Sequence, residues 1–183
     1  MEFFYSLTPS KVLDTVEAAL GQGIRTTGRC LTLNSLENRV FDLELEDDSH
    51  IVAKFYRPGR WSREAILDEH RFLHDLSEAE VPAVAPRRLA DGSTLASTDD
   101  GILFALFPKV RGRSEQELSD AQLEQVGRFL ARIHNVGASA DAPHRLRLDV
   151  EHYGQPALDS LLHSGMIDIQ LQPRYQRAAT AIL

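Results

Sequence analysis

Ile51-Val52-Ala53-Lys54-Phe55-Tyr56, followed by Arg57-Pro58-Gly59, is the stretch on which the fold turns. The run is short, rich in β-branched and aromatic residues, and ended by Pro and Gly. It predicts a strand that is apolar on both faces except for one ammonium in its middle. An unpaired charge in such a place is costly, so Lys54 calls for an anionic partner. Its identity matters as well. Of the 20 basic residues, 17 are arginine and only Lys11, Lys54 and Lys109 are lysine. A chain that elsewhere uses guanidinium, and uses ammonium here, points to a need for a compact point charge.

The partner is expected in the next segment. Ser62 can cap a helix with Glu64 in its first turn, where the helix dipole favours an acid. The helix is expected to run to about Leu76, with Glu69, Phe72, Leu73 and Leu76 on one stripe. Glu69 therefore points the same way as the packed side chains. A strand Lys met by a helix Glu is the arrangement with which kinases hold nucleotide phosphates. Taken singly, the pair fits a structural ion pair, or a Lys snorkelling from a sheet edge, as well or better.

Working outward, Thr8-Pro9 starts a helix carrying Val12, Leu13, Val16 and Leu20, and Gly21 and Gly23 end it. A strand is expected from Arg25 to Leu33. A second has Phe41, Leu43 and Leu45 alternating with Asp42, Glu44 and Glu46, with its turn at Asp47-Asp48-Ser49. Between the first two strands, Asn34-Ser35-Leu36-Glu37-Asn38 is a polar loop. Asn34, Ser35 and Asn38 could give donors to a phosphate, but there is no G-x-G-x-x-G, and a plain hairpin loop fits too. After the helix, Val81-Pro82 and Ala85-Pro86 are extended. Arg87 to Ala90, Leu95 to Ser97 and Ile102 to Phe107 are expected as short strands. The character changes at Pro108. Lys109 to Arg113 is a polar, Gly-containing linker. Ser119 to Gln122 is a capping box opening a helix with Leu123, Val126, Leu130 and Ile133 on its apolar face. Residues 138–156 are expected to be mostly irregular. Tyr175, Ala178, Ala179 and Ile182 begin another helical stripe after Pro173, and self-association through that helix is expected.

The patterns predict an α+β chain: an antiparallel sheet with an inserted helix over residues 1–107, a linker or hinge over 108–113, and over 114–183 helices expected to be the first of an incomplete helical lobe. Several classes fall away on composition. Net charge is −7 from 20 basic and 27 acidic residues, the wrong sign for a dedicated nucleic-acid binder. No apolar run is long enough for a bilayer, and Met1 to Ser6 lacks a signal peptide's basic region. The single Cys30 rules out an intramolecular disulfide and suits a reducing, cytoplasmic compartment. No metal site is expected. His70 and His74 share a helix face at i, i+4, but a third ligand is lacking, so an exposed face is expected there. Arg57, Arg60 and Arg63 beside Trp61 are expected as a solvated cluster.

Asn34-Ser-Leu-Glu-Asn-Arg-Val40, Val52-Ala-Lys-Phe-Tyr-Arg-Pro-Gly-Arg-Trp61, Asp68-Glu-His70, Val81-Pro82, Phe107-Pro108 and Gly127-Arg-Phe-Leu-Ala-Arg-Ile-His134 occur in order. Together they resemble the stress response kinase A family (YihE-type protein kinases), itself similar in fold to aminoglycoside and choline phosphotransferases. The resemblance spans essentially the whole chain. It implies a protein-kinase-like N-lobe binding ATP and magnesium. Lys54 would bind the α- and β-phosphates and Glu69 would orient it. Ser35, with Asn34 and Asn38, would lie over the phosphates. The backbone around Phe107, Lys109 and Val110 would meet the adenine. The intact protein would transfer the γ-phosphoryl of Mg-ATP to a protein Ser or Thr hydroxyl in a stress response. The alternatives are a small-molecule kinase acting on an aminoglycoside, choline or homoserine-like alcohol, and a non-catalytic nucleotide-binding or interaction module. The family's His-Gly-Asp-x-His-x-Gly-Asn loop cannot be placed here. Its catalytic Asp and metal-binding residues are therefore expected beyond Leu183, and these 183 residues by themselves are expected to be inactive.

Overall fold

The computed structural model describes residues 6–21, 23–112, 115 and 117–183. Arg113, the last residue of the expected hinge, lies outside the described residues, as do residues 1–5. Helix α1 spans Pro9–Leu20 and is capped by the Thr8 hydroxyl, with Pro at its first position. Strands β1 (Thr26–Leu33), β2 (Arg39–Leu45) and β3 (His50–Phe55) follow as a meander. Helix α2 (Arg63–Glu78) starts on the Ser62 hydroxyl, which accepts from the Ala65 N–H. Short β4 (Ala96–Ser97) and β5 (Leu103–Pro108) complete a five-stranded antiparallel sheet in the order β1-β2-β3-β5-β4.

Register decides what each face of the sheet carries. Phe41 pairs with Ala53, Leu43 with Ile51, and Phe55 with Phe104. Directly opposed residues point to the same face. These side chains and Leu106 meet Val12, Val16 and Leu20 of α1 in the main core, where Phe55 stacks on Phe104 with centroids 5.2 Å apart. Gly21 ends α1 in a left-handed conformation at φ 85, and a Cβ there would lie 2.9 Å from Ala90 Cβ. The opposite face is the useful one. Val40, Lys54 and Ala105 stand in one cross-strand row, and Asp42, Val52 and Phe107 in the next. Helix α2 covers part of this face through a second cluster of Tyr56, Ile66, Leu95 and Ala105.

The expected strand over Arg87 to Ala90 does not form. Arg87 N–H reaches Leu106 O, but the chain then turns at once, with Leu89 N–H on Ser93 O, Gly92 N–H on Leu89 O and Ala90 N–H on Ala19 O, so no ladder is sustained. Helix α3 (Asp120–Gly137) has its capping box between Ser119 and Gln122. It lies against α2: the Arg132 guanidinium donates to Ala79 O, and a side chain at Gly137 would touch the Phe72 ring. Its expected apolar face is open, with Leu123, Val126 and Leu130 exposed at 53%, 42% and 51%.

Compactness separates residues 1–144 from residues 145–183. The stretch expected to be mostly irregular is so over residues 138–149, and its end, in the second unit, forms a π-helical turn, Val150–Gly154, capped by the Asp149 side chain. It runs into α4 (Gln155–His163), with Pro at the start, and α5 (Gln172–Ile182) follows. Leu158 is the buried side chain among the described residues of this unit. No helix among the described residues is long and apolar enough to cross a membrane.

Candidate active site

Lys54 leaves the inner face of β3 and meets α2. Its Nζ lies 3.1 Å from Glu69 Oε1, with both side chains roughly a quarter exposed. The ammonium also stands 4.6 Å from the centroid of the Tyr56 ring and 6.0 Å from that of Phe107. It is thus paired on one side, faced by aromatic π-clouds on others, and still open to solvent. Neighbouring Asp68 points elsewhere. It is buried, accepts from the His144 N–H at 2.9 Å, and has Arg71 beside it. That N–H, with the His144 ring and Arg71, holds the Asp68 carboxyl below the usual carboxylate range despite desolvation.

The loop between β1 and β2 is tied to the segment that leaves β3. Ser35 Oγ accepts from the Asn38 N–H at 3.3 Å, and Asn38 Oδ1 accepts from the Arg57 N–H at 3.2 Å. Glu37 pairs with Arg60 at 2.5 Å, and the Arg60 guanidinium lies over Trp61. Arg60 by its side chain and Arg57 by its backbone thus tie the loop to this segment, the Arg63 guanidinium donates to Leu95 O, and all three arginines are exposed, as expected of a solvated cluster. Asn34 and Ser35 are exposed, and Leu36 at the tip is fully so.

At the other end of the face, Phe107 stands opposite Val52, and Val110 is 65% exposed. The Lys109 side chain folds back onto β2, its Nζ 2.5 Å from Asp42 Oδ2, while His50 Nδ1 lies 2.9 Å from Asp42 Oδ1. Burial pushes the Asp42 carboxyl up, and the bonds from Lys109 and His50 outweigh that, leaving it below its ordinary value. All three lysines are accounted for in this way: Lys11 pairs with Asp100, Lys54 with Glu69, and Lys109 with Asp42.

His70 overturns an expectation. It is 1% exposed rather than on an open helix face. Its Nε2 lies 2.9 Å from the Tyr56 hydroxyl and its Nδ1 2.9 Å from Thr94 Oγ1. Burial lowers its pKa from 6.5 to about 4, so the ring is neutral. Ile66, one turn earlier, was the available signal, because i and i+4 share a face. Asp42 was missed as well, since alternation assigns it to the solvent side of β2. Among the described residues, no group of three or more His, Cys, Asp or Glu side chains could hold a metal ion.

The phosphotransferase enzyme family matches residues 30–183. The chain belongs to that family. Within it, the chain is 40% identical over 150 residues to stress response kinase A of Escherichia coli O157:H7, covering 82% of this chain and 44% of that protein. It is also 40% identical over 147 residues to a serine/threonine protein kinase RdoA of Salmonella typhimurium strain LT2, covering 80% and 43%. The chain thus spans less than half the length of these curated relatives. Among solved structures, an amicoumacin kinase in complex with AMP-PNP and Ca2+ superposes with a TM-score of 0.72 at 19% identity, over 96% of this chain and 53% of that one. A spectinomycin phosphotransferase in complex with ADP and spectinomycin gives 0.63 at 10%, over 94% and 54%. At such identities these likenesses speak for the phosphotransferase fold.

Proposed function

We propose that the chain is the nucleotide-binding part of an ATP-dependent kinase, with residues 1–107 as the nucleotide lobe, 108–113 as the hinge and 114–183 as the start of the helical lobe. The observation that carries this reading is the Lys54–Glu69 pair at 3.1 Å on a sheet face that also carries Val40, Val52, Ala105 and Phe107, with Asp42 at its far end neutralised by Lys109. A charged head beside an apolar floor suits a nucleotide's phosphates and base. Lys54 binds phosphate oxygens and Glu69 keeps its ammonium directed at them. Asn34, Ser35 and Asn38 border the phosphates, and the backbone of Phe107, Lys109 and Val110 meets the base. The Lys109 side chain, engaged with Asp42, does not read the nucleotide. Magnesium is the proposed companion of ATP. Its ligands and the catalytic base are proposed to come from the part of the relatives' length that these residues do not cover, since the chain spans 44% of stress response kinase A.

The intact protein passes the γ-phosphoryl to a hydroxyl, and positioning with charge stabilisation carries that chemistry. A protein Ser or Thr acceptor is supported by the relative named a serine/threonine protein kinase, and a role in a stress response by the relatives named stress response kinase A. A small-molecule alcohol is the second reading, supported by the antibiotic kinases that share the fold. The 183 residues alone should transfer no phosphate.

The test is binding of ATP with and without magnesium, by calorimetry and by the rise in melting temperature. A ligand at a hundredfold its Kd adds about 2.7 kcal/mol of stability. Lys54→Arg should fold but lose most of the rise, because a planar guanidinium cannot replace the compact ammonium between phosphate oxygens and Glu69. Lys54→Met should lose the rise and some stability. No binding by the parent chain at millimolar ATP, or a full rise retained by Lys54→Arg, refutes the nucleotide role.

A further inference from the structure

Lys54 and Tyr56 are two residues apart and follow the alternation of β3; Glu69 and His70 are adjacent on α2. The two elements are therefore tied twice in neighbouring positions, Lys54 Nζ to Glu69 Oε1 at 3.1 Å and Tyr56 Oη to His70 Nε2 at 2.9 Å. The second tie continues to Thr94 Oγ1, in the segment before β4. The ties differ in setting. Lys54 and Glu69 are partly open, whereas Tyr56 and His70 are 3% and 1% exposed. The Tyr56 ring is also the nearer aromatic surface to the ammonium, at 4.6 Å.

A buried imidazole is an expensive way to fill space unless both nitrogens are bonded. Here each nitrogen has a hydroxyl beside it, and hydroxyls can donate or accept, so either neutral tautomer is satisfied. Such a bond is directional where apolar packing is not. Adjacent helix positions point about 100° apart, so α2 must hold one rotation for Glu69 and His70 to meet their partners together.

We propose that Tyr56 and His70 are positioning residues for the phosphate-binding ammonium: the Tyr56–His70–Thr94 chain fixes the rotation of α2 against β3 so that Glu69 meets Lys54, and holds the Tyr56 ring against the Lys54 ammonium. The inference rests on the nucleotide reading for its consequence, but not for its geometry. Glu69 orients Lys54, and His70 sets where Glu69 stands.

The chain's three lysines make the test direct. Lysine labelled with 13C at Cε gives three resonances, and the one absent from Lys54→Arg belongs to Lys54. Tyr56→Phe keeps the ring and removes only the hydroxyl. It should shift the Lys54 resonance without ATP and weaken ATP binding by roughly tenfold, the scale of one lost buried hydrogen bond. His70→Leu should do the same. His70→Gln, whose amide can still reach Tyr56, should bring affinity back to within about threefold of the parent. In a Glu69→Gln background Tyr56→Phe should cost little more, because it acts through that carboxylate. An unmoved Lys54 resonance with unchanged affinity in Tyr56→Phe overturns the proposal, as does an undiminished loss in the Glu69→Gln background. If the parent binds no ATP, the nucleotide reading fails, and the Lys54 resonance alone still decides the positioning role. Should His70→Leu not fold, Tyr56→Phe carries the test.

Discussion

The ammonium of Lys54 differs from an ordinary surface cation in having its surroundings fixed on several sides. Sequence showed Lys54 because an isolated charge among apolar residues is conspicuous, and Glu69 because it falls on an apolar stripe. It hid His70, because a lone histidine on a helix reads as polar until the segment that covers it is known. Here that segment brings Thr94, which is 24 positions away. The pH dependence of stability should expose His70. Its folded pKa of about 4 lies below the ordinary 6.5. Between those values the unfolded chain binds a proton at this site that the folded chain does not. Stability from the neutral ring is therefore complete above about pH 6.5 and is lost as pH falls toward 4. The loss is on the order of 3 kcal/mol. Lys54 and His74 disfavour the charged ring, while Glu69 favours it. Urea unfolding of the parent and His70→Gln at pH 4.5 and 7 should show a smaller acid loss in the variant. Equal losses would mean that the imidazole is not shielded.

Elements were legible where the period was clean and the cap local. Thr8-Pro9, Ser62 and Ser119 each begin a helix as their side chains predict. Alternation found β2 but gave the wrong role to Asp42, because both faces of a sheet covered on one side by α1 and on the other by α2 hold buried groups. Helix α4 was missed because Asp149 and Gly154 read as loop residues, while a π-helical turn joins them to Pro156. A different long-range tie sets the join of α1 to β1. Glu17 Oε1 accepts from the Thr26 hydroxyl at 2.6 Å and the Thr26 N–H at 2.8 Å, and Arg25 meets Oε2 at 2.9 Å. These bonds, the hydroxyl's first, lower the Glu17 pKa from 4.5 to about 2. Its stabilisation is therefore present above about pH 4.5 and disappears as pH falls through about 2. Thr26→Val removes the strongest of the bonds while keeping β-branching. It should cost about 1 kcal/mol at pH 7 and raise the Glu17 pKa, read from its side-chain carboxyl resonance. An unmoved pKa would show that the backbone N–H and Arg25 suffice.

At the scale of the molecule, apolar burial is uneven. The main core draws on residues from Leu7 to Phe104 and Leu106, and the second cluster from Tyr56 to Ala105. Both lie in the unit of residues 1–144, which also holds Lys54, Glu69 and the Tyr56–His70 tie. The unit of residues 145–183 has Leu158 buried, with Met166, Ile169 and Ile182 exposed at 82%, 79% and 85%. A segment of about 40 residues without disulfide or metal rarely buries enough apolar surface to offset chain entropy. The two units should therefore separate in stability. A chain ending at His144 should keep a single cooperative melt, with the Lys54 resonance at its parent position. A peptide of residues 145–183 should show helix that fades gradually on heating, because short helices without tertiary packing are marginal in water. Circular dichroism melts of both pieces decide the matter. Loss of cooperativity in the 144-residue chain would place part of its stability in residues 145–183, and a sharp melt of the peptide would show a core there beyond Leu158.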